Sequence, residues 1–135
     1  MTGAEAPPVF DVAVDPGSGL GLVTISGPVT AAEMIDFMPR LWAHPQYVMV
    51  EFALWDFSGC RPLLDFSSML KFTDFIGAEK QGRGATTVAL VAPADLEFGL
   101  SRMFGSLIEH QGFTINIFRS REPAVQWLEA QAGAV

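Results

Sequence analysis

Side chains able to do chemistry are concentrated in one polar stretch between residues 56 and 68. They are two carboxylates, three serine hydroxyls, a thiol and a guanidinium: Asp56, Ser58, Cys60, Arg61, Asp65, Ser67 and Ser68. A thiol beside Arg61 could have a lowered pKa and act as a nucleophile, and Asp56 with Asp65 could act as an acid and base pair. Nothing in the sequence pairs Cys60 with a base, and aspartates that cap helices or form turns are far commoner. The residue types therefore favour a binding edge over an active site.

A strongly apolar segment leads into this polar stretch. Tyr47 to Phe57 is rich in β-branched and aromatic residues, which predicts a strand covered on both faces at the centre of a sheet. We expect Ser58 to Pro62 to form a turn, and Asp65 or one of the serines after it to cap a helix. Because α/β sheets bind ligands outside the carboxyl ends of their strands, the polar stretch would lie at the functional edge.

The rest of the chain alternates between strand and helix patterns. The first predicted elements are a hairpin at 9–14 and 20–26, which stops at Gly27-Pro28, and a helix capped by Thr30 and Glu33. The central strand and its helix follow. After them come a buried strand at 86–92, a helix from Asp95, an edge strand at 113–118 and a last helix. The helix from Asp95 should bury one stripe: Leu96, Leu100, Met103, Phe104, Leu107 and Ile108.

The predicted fold class is α/β, a mixed sheet of about five strands with about four helices in the order β-β-α-β-α-β-α-β-α. Residues 1–8 are predicted to be a disordered lead-in, 9–130 a single domain and 131–135 a tail. The glycine-rich run Gly77 to Gly84 is predicted to be a helix stop and turn, because it lacks the Lys-Ser/Thr of a phosphate-binding loop.

Composition excludes several functional classes. A chain of 135 residues with 50% hydrophobic side chains is sufficient for one core without disulfides. One cysteine and no signal-peptide pattern predict a cytoplasmic location, and no apolar run is long enough for membrane insertion. A net charge of −7 makes nucleic acid an unexpected partner. His44, His110 and Cys60 are a poor metal set, so we expect neither a metal nor a cofactor.

Aromatic side chains exceed what one small sheet needs for its core. Phe37, Phe72, Phe75 and Phe98 lie at the margins of the helical stripes. Such residues most often fill the core, but four of them on the margins suggest that these helix faces contact a second subunit or an apolar ligand. We predict a homodimer with Phe72 and Phe75 as its contact, or else a lipid-like ligand.

The order of elements over residues 9 to 130 resembles the STAS and SpoIIAA-like superfamily of small α/β regulatory domains. Two motifs, Asp56-Phe57-Ser58-Gly59-Cys60 and Leu64-Asp65-Phe66-Ser67-Ser68, resemble the family's Asp-x-Ser-Gly and Asp-Ser-Ser segments. Two later stretches, from Ala92-Pro93 to Phe104 and from Ile117 to Leu128, resemble its uncharacterised SpoIIAA-like branch. In anti-sigma-factor antagonists a kinase phosphorylates the serine at this helix start, and the resemblance implies Ser67 or Ser68. The sequence departs from the motif at Phe66 and at Met69-Leu70-Lys71.

The resulting hypothesis is a non-enzymatic regulatory or protein-interaction module. Its partner is expected at the edge that carries Asp56, Ser58, Arg61, Asp65, Ser67 and Ser68. Two alternatives stay open: a carrier of a small apolar or lipid-like ligand, and an enzyme that uses the Cys60 loop.

Overall fold

The computed structural model describes residues 7–79 and 85–133, and their helices and strands confirm the predicted order. The strands are β1 (Val9–Val14), β2 (Gly21–Thr30), β3 (Phe52–Leu63), β4 (Thr87–Val91) and β5 (Thr114–Phe118). The α-helices are α1 (Ala31–Trp42), α2 (Phe66–Glu79), α3 (Asp95–Ile108) and α4 (Arg121–Gly133), with 3-10 turns at Tyr47–Met49 and Glu109–Gln111. Most of the predicted lead-in, part of the glycine-rich turn and the last two residues lie outside the described ranges.

The five strands form one mixed sheet in the order β1-β2-β3-β4-β5. β1 is antiparallel to β2, and all other neighbours are parallel. β3 therefore lies at the centre and β5 at an edge, as the sequence predicted. The mixed sheet with its four helices is the expected α/β fold class.

β3 begins and ends later than predicted. Tyr47 to Met49 forms a 3-10 turn, because the His44 Nδ1 accepts hydrogen bonds from the backbone N–H groups of Gln46 and Tyr47, each at 3.3 Å. The Tyr47 side chain is buried and accepts a hydrogen bond from the Trp55 indole at 3.3 Å. Tyr47 and Val50 are therefore buried without belonging to a strand, whereas Met49 between them is 80% exposed.

The predicted turn at Ser58 to Pro62 is wrong, because β3 runs through it to Leu63. β2 also continues past its predicted stop at Gly27-Pro28 and pairs with β3 as far as Thr30 opposite Leu63. β1 pairs with β2 only up to Ser26, so Pro28 lies where β2 has β3 alone as a partner. A strand tolerates proline at such an edge, since the missing N–H leaves no ladder bond unmade.

Helices cover the two faces of the sheet unequally. The front face, defined here as the one that packs on α1, α2 and α3, carries the larger core, which includes Val23, Ile25, Trp55, Val88 and Leu90. The back face packs on α4 through a smaller cluster: Leu54, Ala89, Val91, Ala124 and Leu128. In the part of the chain that the structure describes, no helix is long and apolar enough to cross a membrane.

We predict that Leu90→Asp will prevent folding. Leu90 is 3% exposed on β4, so the variant loses a buried side chain, about 2–5 kcal/mol, and adds a charge without water. Thr114→Asp, at an exposed position of the edge strand, is the matched control and should melt like the parent. Thermal unfolding followed by circular dichroism checks both, and a cooperative transition in Leu90→Asp would contradict the assignment of β4 to the core.

Candidate functional site

A bulge in β3 positions the residues at the carboxyl end of the sheet. Two steps along β2, from Thr24 to Ser26, correspond to three steps along β3, from Asp56 to Gly59. The extra residue reverses the alternation of β3, since successive strand residues point to opposite faces. Trp55 therefore faces the front before the bulge and Cys60 faces the front after it, and both line the same cavity.

Two helices start side by side where the extended β2 and β3 end. Thr30 caps α1: its hydroxyl accepts from the N–H of Glu33 at 3.2 Å, while the Glu33 carboxylate accepts from the N–H of Thr30 at 2.9 Å. Asp65 caps α2 by accepting from the N–H of Ser68 at 2.8 Å, and the N–H of Asp65 donates to the Ser68 hydroxyl at 3.0 Å. Both caps lie next to Leu63, the last residue of β3.

A surface recess, here called the edge recess, lies between these two helix starts. It is lined by Thr30, Ala31, Ala32, Ile35, Leu63, Asp65, Ser68 and Lys71. The Lys71 ammonium lies near enough to Asp65 to contribute, after the hydrogen bonds from Ser68, to a lowered pKa of the Asp65 carboxyl. Leu63 and Phe66 beside it are 45% and 57% exposed. The edge recess thus combines helix caps, a cation and uncovered apolar surface.

Asp56 serves the back face and not the edge recess. The side chain is buried and accepts hydrogen bonds from Arg121 Nε of α4 at 2.6 Å and from the N–H of Ser58 at 2.8 Å, with a third from the Ser58 hydroxyl. Burial raises the pKa of the Asp56 carboxyl, but the hydrogen bonds from Ser58 and the charge of Arg121 outweigh it, so that the pKa lies below 3.8. The structure therefore separates Asp56 and Ser58 from Asp65 and Ser68.

The remaining predicted edge residues differ in accessibility. Arg61 and Ser67 are exposed, whereas Ser68 is half-buried and its hydroxyl belongs to the α2 cap. Ser67, in the first turn of α2, makes no hydrogen bond through its side chain with any residue in 7–79 or 85–133. The structure thus distinguishes two serines that the sequence left equivalent.

Cys60 lies inside the protein and not on an accessible loop. It is 8% exposed, and burial together with the negative charge of Glu97 raises the pKa of the thiol to about 12. The predicted lowering of this pKa by Arg61 is wrong, because neighbouring residues of a strand point to opposite faces. A thiol that stays protonated is a poor nucleophile.

An apolar cavity, here called the core cavity, lies between the front face of the sheet and the three helices. Its volume is about 100 Å³. Its apolar lining comes from all three helices and from the sheet, including Val29, Met34, Met38, Trp42, Trp55, Pro62, Leu64, Phe72, Val88, Leu90, Leu100 and Phe104. Its polar lining includes Tyr47, Cys60, Glu97 and Ser101. The sequence analysis did not identify Glu97 and Ser101, although residues four apart lie on the same face of a helix and their spacing could have indicated a shared site.

The surplus aromatic side chains have partners within the chain. Phe72 is buried, with its ring centroid 5.4 Å from that of Phe104, and Phe75 stacks on Trp42 at 5.8 Å. Of the other two, Phe37 stacks on Phe10 at 4.3 Å and Phe98 lies under the Arg119 guanidinium at 4.1 Å. Contacts within one chain thus account for Phe72 and Phe75, and their role in a homodimer stays a prediction.

The structure brings no three His, Cys, Asp or Glu side chains together as a metal site, within the ranges it describes. His44 is engaged in the turn after α1, and His110 is exposed in the 3-10 turn after α3. These histidines thus lie in separate turns.

Two solved structures resemble this fold over almost its whole length. A crystal structure of an uncharacterised protein with a SpoIIAA-like fold, of the DUF3478 family from Shewanella loihica PV-4, gives a TM-score of 0.61 at 15% identity and covers 95% of this chain and 98% of that chain. An anti-sigma factor antagonist from Mycobacterium paratuberculosis gives 0.52 at 13% identity, over 91% and 95%. The sequence matches no protein-family model and no curated protein. The likeness confirms the SpoIIAA-like fold that the sequence resembled.

We predict that Asp56→Asn will lower the free energy of unfolding at pH 7 by about 1–3 kcal/mol, because Arg121 loses a charged acceptor. The folded-state pKa of Asp56 is lowered, so its stabilisation is complete above 3.8 and is lost as the pH falls through the folded value. Urea unfolding at a series of pH values should therefore show less acid destabilisation in Asp56→Asn than in the parent.

Asp95→Asn is the control for this ion pair. Asp95 also binds an arginine, Arg119, at 2.7 Å, but the aspartate side chain is 95% exposed. An exposed ion pair contributes little to stability, so Asp95→Asn should lower the free energy of unfolding by less than about 1 kcal/mol. Equal effects of the two substitutions would contradict a special role for the buried Asp56.

We predict that Cys60 in the native protein will react with an aromatic disulfide reagent at pH 8 at least about a hundredfold more slowly than in urea, because little thiolate forms and the sulfur is buried. Glu97→Gln should speed the native reaction by removing the charge that raises the pKa. Glu109→Gln, at an exposed position beyond α3, should leave the rate unchanged. Equal rates in the native and unfolded parent would contradict the burial of Cys60.

Proposed function

We propose that this domain with a SpoIIAA-like fold is a non-enzymatic regulatory or protein-interaction module that binds its partner at the edge recess. The observation that carries the proposal is the pair of large apolar side chains, Leu63 and Phe66, exposed at 45% and 57% beside that recess. Protein interfaces combine an apolar centre with a polar rim. Asp65, Ser68 and Lys71 provide such a rim, because they line the recess together with Leu63, and Phe66 follows Asp65 directly in the chain.

The similarity of fold to an anti-sigma factor antagonist supports this function, since the name of that protein describes action on another protein. The chemistry of the polar stretch supports it as well. Asp56 is held in an ion pair with Arg121, and the Cys60 thiol has a raised pKa. Neither group therefore has the properties of a general acid, a general base or a nucleophile.

Phosphorylation of Ser67 would give the module a switch. Ser67 is exposed in the first turn of α2, whereas the Ser68 hydroxyl is occupied by the helix cap. A phosphate there would meet the positive end of the helix dipole, with Lys71 four residues further along the same helix face. It would also place about two negative charges at the rim of the edge recess. We therefore propose Ser67 as the acceptor, in preference to Ser68.

The second candidate function is the binding of a small apolar ligand, and the core cavity favours it. Interiors are normally packed with few voids larger than a water molecule. A cavity of about 100 Å³ approaches the roughly 150 Å³ at which an apolar cavity binds benzene. Native mass spectrometry of freshly purified protein would detect a retained ligand as added mass, and the same spectrum reports whether the chain is a homodimer.

We predict that Phe66→Ser and Leu63→Ser will each weaken partner binding at least about tenfold, since a buried aromatic or aliphatic anchor contributes about 1.5–3 kcal/mol to an interface. Partners captured on the immobilised parent can be identified by mass spectrometry and their affinities measured with purified proteins in a cytoplasmic buffer. Met49→Ser is the control, because Met49 is 80% exposed at the opposite end of β3.

The outcome that would contradict this function is equal binding by Phe66→Ser, Leu63→Ser and the parent. Ser67→Glu tests the switch in the same assay: its fold should survive, because an acidic residue is favourable in a first helical turn, while its affinity should change. Unchanged affinity would remove Ser67 from the proposal.

A further inference from the structure

Helix α3 presents polar residues to the core cavity and an apolar residue to solvent. Glu97, Leu100, Ser101 and Phe104 all line the cavity, at the spacing that places residues on one helix face. Leu96 lies on the outside and is 59% exposed. The predicted buried stripe is therefore wrong at its first position, because the helix turns Glu97 inward in place of Leu96.

Ser101 is a buried polar side chain without a hydrogen-bond partner in residues 7–79 and 85–133. It is 8% exposed, and its hydroxyl makes no hydrogen bond with any residue that the structure describes. Such a group is unfavourable inside a protein, since it gives up its hydrogen bonds to water without replacement. Natural structures rarely leave one unsatisfied, and each case calls for an explanation.

Glu97 is the second polar group that faces the cavity. Its carboxylate makes no ion pair or hydrogen bond within residues 7–79 and 85–133, and it is half-buried. The dipole of α3 explains an acidic residue in the first helical turn. It does not explain Ser101, which lies one turn further into the apolar lining.

Cys60, on β3, lines the same cavity as Glu97. The negative charge of Glu97 contributes, after burial, to the raised pKa of the Cys60 thiol. Glu97 and Ser101, one turn apart on α3, line this cavity together with Cys60, and these three residues are here called its polar end; the rest of the described lining is mainly apolar. This polar end offers one carboxylate, one hydroxyl and one weak sulfur acceptor.

Resting on the second candidate function, the binding of a small apolar ligand, we propose that the core cavity binds a short aliphatic primary amine with its ammonium group on Glu97 and Ser101. An ammonium has three donors and no acceptor, which matches the groups at the polar end. A fatty acid would place a second carboxylate against Glu97, and this repulsion excludes it. The net charge of −7 also favours a cation over an anion.

Cavity size determines the length of the aliphatic chain. About 100 Å³ is less than the roughly 150 Å³ that accommodates benzene. By the same proportion the cavity takes about four carbons, so a five-carbon chain places its far carbons inside, against Val88, Leu90 and Phe104, and its first methylene and ammonium at the half-buried Glu97. Pentylamine is therefore the probe, and it is protonated at pH 7 like a lysine side chain.

Isothermal titration calorimetry of the full chain at pH 7 tests the proposal with four probes that share one tail: pentylamine, 1-pentanol, pentanoate and pentane. We expect pentylamine to bind on the order of tenfold to a hundredfold more tightly than pentane, with 1-pentanol between them and pentanoate weakest.

Three variants assign the contacts. Glu97→Gln should weaken the binding of pentylamine on the order of tenfold or more and leave the binding of pentane unchanged. Ser101→Ala should weaken the binding of both pentylamine and 1-pentanol while the protein stays folded. Glu109→Gln removes the same charge at an exposed position and should bind all four probes like the parent. Circular dichroism melting of each variant confirms folding before titration.

The outcomes separate this inference from the function on which it rests. If all four probes bind equally, or if Glu97→Gln keeps the affinity for pentylamine, the amine proposal is overturned while apolar ligand binding stands. If pentanoate binds most tightly, the assignment of the polar end is overturned. If no probe binds, pentane included, both the cavity function and the amine proposal fall.

Discussion

The pairing of β2 with β3 beyond the bulge opposite Ile25 is the constraint on which both candidate sites depend. One extra residue in β3 reverses its alternation, so that Cys60 faces the core cavity and Leu63 stays at the surface. The same pairing carries Thr30 to a position beside Leu63, so that α1 and α2 begin together. Without the bulge, the polar and apolar residues after Phe57 would exchange faces, and neither the edge recess nor the polar end of the cavity would exist.

Some buried or half-buried polar side chains in this fold form hydrogen bonds that stabilise it, and others form none with the described residues. Asp56 anchors α4 to the back face through Arg121, and Ser58 satisfies the same carboxylate. Glu97 and Ser101 have no such partners among the described residues, although their surroundings are mainly apolar. Sequences that agree with their fold at most positions tend to break local rules where function requires it. The start of α3, where Glu97 lines the cavity and Leu96 is exposed, breaks such a local rule.

The edge recess and the core cavity share the chain segment that follows the bulge. Pro62 and Leu64 line the cavity, Leu63 lines the recess, and Asp65 caps α2 directly after them. The two sites are therefore lined by adjacent residues of one segment. A regulatory module and a ligand-binding module are thus compatible in this architecture, because alternate residues of one short segment serve each site.

The sequence by itself determined the order of strands and helices, the central strand and the Thr30 capping box, because apolar periodicity and capping depend on residues within a few positions of each other. It also identified the polar stretch from 56 to 68, whose role as a binding edge stays a prediction. Only the tertiary structure decided that Ser58 to Pro62 extends a strand, that Cys60 lies inside, and that Asp56 pairs with Arg121, 65 residues away. These outcomes follow from β-sheet register and from packing between distant segments. A one-residue shift in register changes the face of every later side chain, and no local pattern records that shift.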